Sequence, residues 1–401
     1  MPTSLPFHLV GVSHHTADVG VREQLAPTSE QIADWLDRER RAERSLVVLA
    51  TCNRLELYWW GDDDQEAGLQ ALARSQGLLL DGRTVYRRDG LPAVRHLFLV
   101  AAGLDSQVLG EYEILGQMRR AHERARAAGT TTWELDDAFA AALAVGRQAR
   151  HETTLGRHPG SLGSAAVAQA AICCGGSLTG RNVLVVGAGE VADGVLRALE
   201  AHACGSVMVL NRTPERAEAL VSSRGAEAAG WDSLPESLAQ ADVVVAATKA
   251  PHPILEAPLL AEILESRNRR PLLVFDLALP RNVDPAARDV PGVRLFDLDD
   301  LRLEHGPAGS GISPATEEAE AIIRDAVGRF RRGLRIREAA PHLAELHQFG
   351  ERLAEEETGR ALAALESLSL SEAERDVVRQ MAERIVRRLL YPASQKIRES
   401  L

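Results

Sequence analysis

RNVLVVGAGEVADGVLRALEAHACG, residues 181–205, opens on the unbroken apolar run Val183 to Val186 and passes through a small-residue turn into a helical pattern. An apolar run of this kind reads as a strand buried on both faces, and the same alternation of strand and helix returns in SVMVLNRTPERAEALVSSRG (206–225), ADVVVAATKA (241–250) and PLLVFDLALPRNVD (271–284). The pattern predicts a doubly wound parallel sheet. Gly187, Gly189 and Ala192 hold the G-x-G-x-x-A spacing directly after the first strand. The first glycine allows a tight turn, the second lets the backbone approach a pyrophosphate, and the small third residue permits close helix–strand packing. With Ala188, Glu190 and Val191 they form the candidate cofactor cradle, because a helix N-terminus favours negative charge. About twenty residues on, the second strand ends in Asn211, Arg212 and Thr213, where an NAD site usually presents an acidic side chain to the ribose hydroxyls. A 2′-phosphate is therefore expected there, and NADPH as the cofactor.

Upstream of this region the pattern changes. Short strands (Phe7 to Val12, Leu46 to Ala50, Arg54 to Trp60) mix with helical stretches at 28–40, 65–76, 91–101 and 114–128, an α+β arrangement. Within it, LVVLATCNRLELYWW (46–60) ends one strand on Cys52 and begins another at once. The second reads as half-buried, with Leu55, Leu57 and Trp59 on one face and Glu56 and Tyr58 on the other. Cys52 thus sits at a strand end or tight turn. Free cysteine usually behaves as a small buried hydrophobe, but Asn53 and Arg54 beside it suit a thiolate nucleophile held by donors and positive charge.

The chain has 401 residues, 45% of them hydrophobic, which is enough for two or three cores. No apolar run is long enough to span a bilayer and the start lacks a signal-peptide pattern, so a cytoplasmic protein is expected, with no membrane association. Four cysteines (Cys52, Cys173, Cys174, Cys204) show neither metal-ligand spacing nor a disulfide framework, and no metal site is expected. His14 and His15 are adjacent, and on a strand they would point to opposite faces, which argues against a metal pair. A net charge of −11 argues against nucleic-acid binding by bulk electrostatics, and the arginine-rich segments 117–129 and 324–338 read as solvated helix faces.

After EHGPAGSGISP (304–314) the chain reads as helical to its end. Ile323, Val327, Phe330 and Leu334 form one apolar stripe and Val378, Met381, Ile385 and Leu389 another, with Pro341 expected to break or kink the first helix at Ala340. Such stripes with few partners in their own chain call for a second copy, so a homodimer is expected. The expected organisation is an α+β N-terminal catalytic, substrate-binding domain (1–155), an α/β Rossmann-type NADP-binding domain (156–305), and an all-α linker and dimerisation domain with a long connecting helix (306–401).

A nicotinamide site together with a candidate thiolate narrows the chemistry, since hydride delivered to a cysteine thioester yields an aldehyde. GVSHHTADVGVRE, TCNRLELY, HLFLVAAGLDSQVLGEYEILGQMR, VLVVGAGEVA followed by NRT, and DLALPRNVD, in this order, resemble the glutamyl-tRNA reductase family over essentially the full length. The resemblance implies NADPH-dependent reduction of glutamyl-tRNA(Glu) to glutamate-1-semialdehyde through a cysteine thioester, the first step of tetrapyrrole synthesis from glutamate. It places the family's nucleophile on Cys52 and its activity-linked histidine on His96, for which a catalytic, polarising or proton-donating role is expected. Substrate-holding positions fall on Thr51, Asn53, Arg54, Ser106, Glu111, Tyr112, Glu113 and Gln117, with Arg54 suited to a substrate carboxylate. The family's usual Glu-x-Gln stands here as Glu111-Tyr112-Glu113, which replaces an amide by a carboxylate. Tyr391 stands where relatives often carry His, with no catalytic consequence expected. Family analogy also implies hand-over of the aldehyde to glutamate-1-semialdehyde aminomutase. A shikimate-type dehydrogenase shares the glycine turn and NRT but accounts for neither TCNR nor the helical tail. A dimeric tRNA- or nucleotide-binding scaffold with an idle cysteine is the non-enzymatic alternative.

Overall fold

The structure is a computed structural model and describes residues 5–108, 111, 113–153, 155, 161–222, 224–301, 314–364 and 370–399. The chain forms two compact units, Met1–Arg324 and Asp325–Leu401.

The first unit begins with β1 (Phe7–Ser13), α1 (Val19–Leu25), α2 (Ser29–Arg41), β2 (Val47–Ala50), β3 (Arg54–Trp60), α3 (Glu66–Ser75), β4 (Tyr86–Asp89), α4 (Leu91–Ala102), α5 (Glu113–Ala128) and α6 (Trp133–Glu152). The four strands form an antiparallel sheet in the order β2-β3-β1-β4. On one face Leu55, Leu57 and Trp59 pack with Trp35 and Leu36 of α2 and Leu69 of α3. The other face is covered too: Tyr58 meets Phe139 of α6 edge-on, with ring centroids 5.6 Å apart. β3 is therefore buried on both faces, Glu56 and Tyr58 included, and not half-buried as its alternation predicts. The helices responsible, α4 and α6, lie far along the chain, and the alanine-rich α6 shows little contrast between its faces.

The parallel sheet follows α7 (Leu162–Cys173) and contains β5 (Asn182–Val186), α8 (Glu190–Leu199), β6 (Ser206–Leu210), α9 (Pro214–Val221), β7 (Glu227–Ala229), α10 (Leu234–Gln240), β8 (Val243–Ala246), α11 (Ala257–Ser266), β9 (Leu272–Asp276) and β10 (Val293–Phe296). Its order, β10-β9-β8-β5-β6-β7, is that of a doubly wound dinucleotide fold, with every pair parallel. The order reverses between β5 and β8. Ligands of such sheets bind beyond the strand ends at that switch point.

α12 (Pro314–Ala364) and α13 (Glu372–Glu399) complete the chain. α12 does not break at Ala340 but runs on through Pro341. Proline there removes one helical hydrogen bond, but residues 336–338 before it are exposed, where water can replace that bond. Strong helix formers on both sides (Glu338, Ala339, Leu343, Ala344) carry the helix across. In the second unit Val377, Met381, Ile385 and Leu389 of α13 are at least half exposed, in a row on one face. No helix among the described residues is long and apolar enough to cross a membrane.

Candidate active site

β2 and β3 are joined by Thr51, Cys52 and Asn53 alone. The turn is determined locally. The Thr51 N–H donates to the Arg54 carbonyl (2.8 Å), while the Thr51 hydroxyl accepts from the N–H groups of Asn53 (3.1 Å) and Arg54 (3.2 Å). The Asn53 carbonyl accepts from the His14 N–H at 2.9 Å, which ties the turn to the end of β1. Cys52, at the tip, is partly exposed.

Two cavities meet at Cys52. The larger, of about 680 Å³, extends from Cys52 past Glu113, Gln117, Arg120 and Arg124 of α5 to Gly187–Val191, Asn211, Arg216, Thr248 and Lys249. The smaller, of about 200 Å³, is walled by Thr51, Cys52, Arg54, Arg22 and Leu279 among others. The thiol and the glycine turn thus share one space, although Gly187 lies 135 positions after Cys52 in the chain.

Behind the turn lies a buried charge cluster. Arg54 Nη1 donates to Glu56 Oε1 (2.8 Å) and Asp105 Oδ2 (2.8 Å), and its Nη2 donates to the Asp105 carbonyl. Glu56, wholly buried, also accepts from Tyr58 (2.6 Å) and Tyr86 (2.5 Å) and pairs with His96 Nε2 (2.7 Å). Burial opposes the charge on Glu56, but Arg54 and His96 hold its carboxyl well below the usual range. His96, on α4, therefore turns its Nε2 toward Glu56.

At Cys52 the field runs the other way. Burial and the carboxylates Glu111 and Glu113 push the thiol up to about 12, against Arg22, which lowers it. Glu111 itself is raised to about 7 by burial and by Glu113, and Glu113 is raised by burial and by Glu190. Because the raised pKa keeps Cys52 as the neutral thiol, alkylation by iodoacetamide should accelerate about tenfold per pH unit from about pH 7 to about pH 10 without levelling off. The measurement uses protein with Cys173, Cys174 and Cys204 replaced by serine, and a plateau below about pH 9 would contradict the assignment.

On the cofactor side Gly187 has φ +123°, and a Cβ there would lie 2.4 Å from the Ala247 carbonyl oxygen, so only glycine fits. A Cβ at Gly189 would meet nothing within 4 Å, which leaves the open cradle a pyrophosphate requires above the first turn of α8. Ala192 is buried beneath it. These residues fit a dinucleotide.

Of the predicted residues the larger cavity gathers Cys52, Glu113, Gln117, Gly187–Val191 and Asn211, while Thr51 and Arg54 line the smaller. Arg212 and Thr213 are exposed and outside the cavity wall, Arg216 on α9 taking the place beside Asn211. Asn53 and Glu111 are buried, Ser106 lies in the segment between α4 and α5, and Tyr112 falls outside the described residues. The expectation for His14 and His15 is corrected: β1 ends at Ser13, the two histidines enter a turn, and their rings approach to 3.9 Å. Among the described residues no group of three or more His, Cys, Asp and Glu side chains is placed to hold a metal ion. Reasoning from sequence misses Glu56, Asp105, Arg22 and Arg216; only Arg216, one helical turn beyond NRT, carries a local signal.

Residues 10–153 match the family model described as Glutamyl-tRNAGlu reductase, N-terminal domain, residues 168–303 match Shikimate / quinate 5-dehydrogenase, and residues 318–400 match Glutamyl-tRNAGlu reductase, dimerisation domain. The chain is 38% identical over 394 residues to the glutamyl-tRNA reductase of Thermomicrobium roseum, covering 97% of this chain and 94% of that one. It is 43% identical over 342 residues to the glutamyl-tRNA reductase of Thermus thermophilus, covering 84% and 83%. Among solved structures, glutamyl-tRNA reductase from Methanopyrus kandleri aligns over 98% of both chains at 31% identity, with a TM-score of 0.45.

Proposed function

This chain belongs to the glutamyl-tRNA reductase family, and from that premise we propose that Cys52 takes the glutamyl group from tRNA(Glu) as a thioester, which is reduced on the same sulfur to glutamate-1-semialdehyde. The reaction is the first step of tetrapyrrole synthesis from glutamate. The observation that carries the assignment to Cys52 is the single cavity joining its thiol to the glycine turn. Attack of Sγ on the ester carbonyl carbon forms the C–S bond and breaks the bond to the tRNA 3′ oxygen, which leaves with a proton. Gly187–Val191 would hold a nicotinamide dinucleotide, which when bound would supply a hydride to the acyl carbon as the C–S bond breaks and the Cys52 thiolate leaves.

The chain's own groups then have separate tasks. Thr51 shapes the turn that presents Cys52. Arg54, held by Glu56, sets the charge of the smaller cavity, where the glutamyl side chain sits; Asp105, its more exposed partner, is the one a substrate carboxylate would displace. Glu111, titrating near neutrality, suits transfer of the thiol proton. His96 acts through Glu56 to keep Arg54 in place. The assay is product analysis on labelled glutamyl-tRNA, with semialdehyde expected when NADPH is present and slow release of free glutamate when it is absent; no semialdehyde under any condition would sink the proposal.

NADPH is the cofactor this reading selects, because Asn211 replaces the acidic residue and Arg216 and Arg212 stand nearby as cations. Arg216→Ala is expected to weaken NADPH binding by about tenfold or more and NADH binding by less than about twofold, since a charge-assisted bond to phosphate contributes about 1.5–3 kcal/mol. Arg212→Ala should shift the preference in the same direction. Equal losses for both cofactors in a binding titration would refute the assignment. A homodimer is supported by the match of residues 318–400 to the dimerisation-domain model, and the exposed apolar row on α13 would be covered by a second copy. A charged tRNA as substrate suits a cytoplasmic reaction, and the reactive aldehyde favours direct hand-over to the aminomutase that consumes it.

A further inference from the structure

We propose that Asp299 is a positioning residue that acts through Arg22 on Cys52, so that the thioester is aligned for reduction only while the dinucleotide-binding half is seated against the catalytic turn. The proposal rests on the reductase reading above. Arg22, on α1, is buried, and its guanidinium spans the two halves of the first unit. Its Nη1 donates to the backbone carbonyl of Cys52, and its Nη2 pairs with Asp299 Oδ1 at 2.5 Å. Asp299 follows β10 of the parallel sheet, and the donors it collects come from the other half of the unit. Its Oδ2 accepts from the Val19 N–H (2.7 Å) and its Oδ1 also from Gln107 Nε2 (3.2 Å).

A second tie sits one residue on. Glu23 accepts from the Arg281 N–H (2.6 Å) and from Arg281 Nε (2.7 Å), and Arg281 belongs to the loop after β9 whose Leu279 lines both cavities. One short helix therefore senses the parallel sheet at two points and touches the nucleophile's backbone at a third. The guanidinium is a rigid fork, and buried as it is it needs both acceptors. If the dinucleotide half withdraws, Arg22 loses Asp299 and must be re-paired, which removes the constraint on the Cys52 carbonyl. Acylation relies on the thiol, the ester and the groups of the catalytic half, and does not need this contact. Reduction needs the acyl carbon held toward the glycine turn, and does.

The two fates of the thioester report on the contact. In hydrolysis water adds to the acyl carbon, the C–S bond breaks and the thiol regains its proton; in reduction hydride from NADPH replaces the sulfur. The experiment measures both products from labelled glutamyl-tRNA with the full chain. For Asp299→Asn the ratio of semialdehyde to free glutamate in the presence of NADPH is expected to fall about tenfold or more, while glutamate release without NADPH stays within about threefold of the parent. Asp299→Glu, which keeps the carboxylate, should recover part of the ratio. Arg22→Lys, which cannot donate to both acceptors in the same geometry, should shift the ratio in the same direction and carries the test if Asp299→Asn fails to fold. An unchanged ratio in the folded variants overturns the proposal, as does a parallel fall of both activities, which would mark a role in stability alone. A parent protein that releases glutamate but forms no semialdehyde would overturn the reductase reading as well, so the two failures are distinct.

Discussion

Cys52→Ser is expected to lower semialdehyde formation by several orders of magnitude, with little change in the folded structure. Cys52 sits in a three-residue turn whose hydrogen bonds are made by Thr51, Asn53 and Arg54, so exchanging sulfur for oxygen leaves the turn intact. What is lost is the covalent catalyst: a serine hydroxyl in this acidic setting is a far poorer nucleophile than sulfur, and the oxygen ester it would form accepts hydride less readily than a thioester. Replacement of Cys173, Cys174 or Cys204 should leave turnover within about twofold, because those residues line neither cavity at the turn. The measurement is steady-state semialdehyde formation from glutamyl-tRNA. A Cys52→Ala protein with near-normal turnover would falsify the thioester mechanism.

Gly189→Asp should separate the two halves of the reaction. The space above Gly189 is open, so the aspartate fits without disturbing the turn, but its carboxylate occupies the place of a pyrophosphate and repels it. Semialdehyde formation is expected to fall on the order of a hundredfold or more, while NADPH-independent release of glutamate from glutamyl-tRNA persists at close to the parent rate. Cys52 and the smaller cavity are untouched by the substitution, which is why acylation should survive it. If the folded variant lost glutamate release together with reduction, acylation and hydride transfer would not be the separable steps proposed here. The same substitution at Gly187 would be uninformative, since a Cβ there meets the Ala247 carbonyl at 2.4 Å and φ is +123°, so the turn itself would fail.

The sequence by itself determined the features whose causes are contiguous: the β5–turn–α8 unit with its two glycines, the turn after β2 that carries Cys52, the parallel sheet of the middle domain, and the apolar row along α13 save that Val377 stands in it for the expected Val378. Each follows from hydrophobic period and from residues such as Gly187 or Thr51 that a local backbone geometry requires. It misjudged β3, because alternation records which residues are polar and not what later covers them. Only the packing of α4 and α6 decided that Glu56 is buried, and burial is what turns an ordinary strand glutamate into the partner of Arg54, His96 and both tyrosines. His14 and His15 were misplaced for a related reason, since β1 ends one residue before them. Tertiary structure alone joined the thiol to the glycine turn and set Arg22 against Asp299, 277 positions away. No local propensity encodes such a pair; it exists because two halves of one chain bury charge against each other, and a buried guanidinium must find its acceptors wherever the fold brings them.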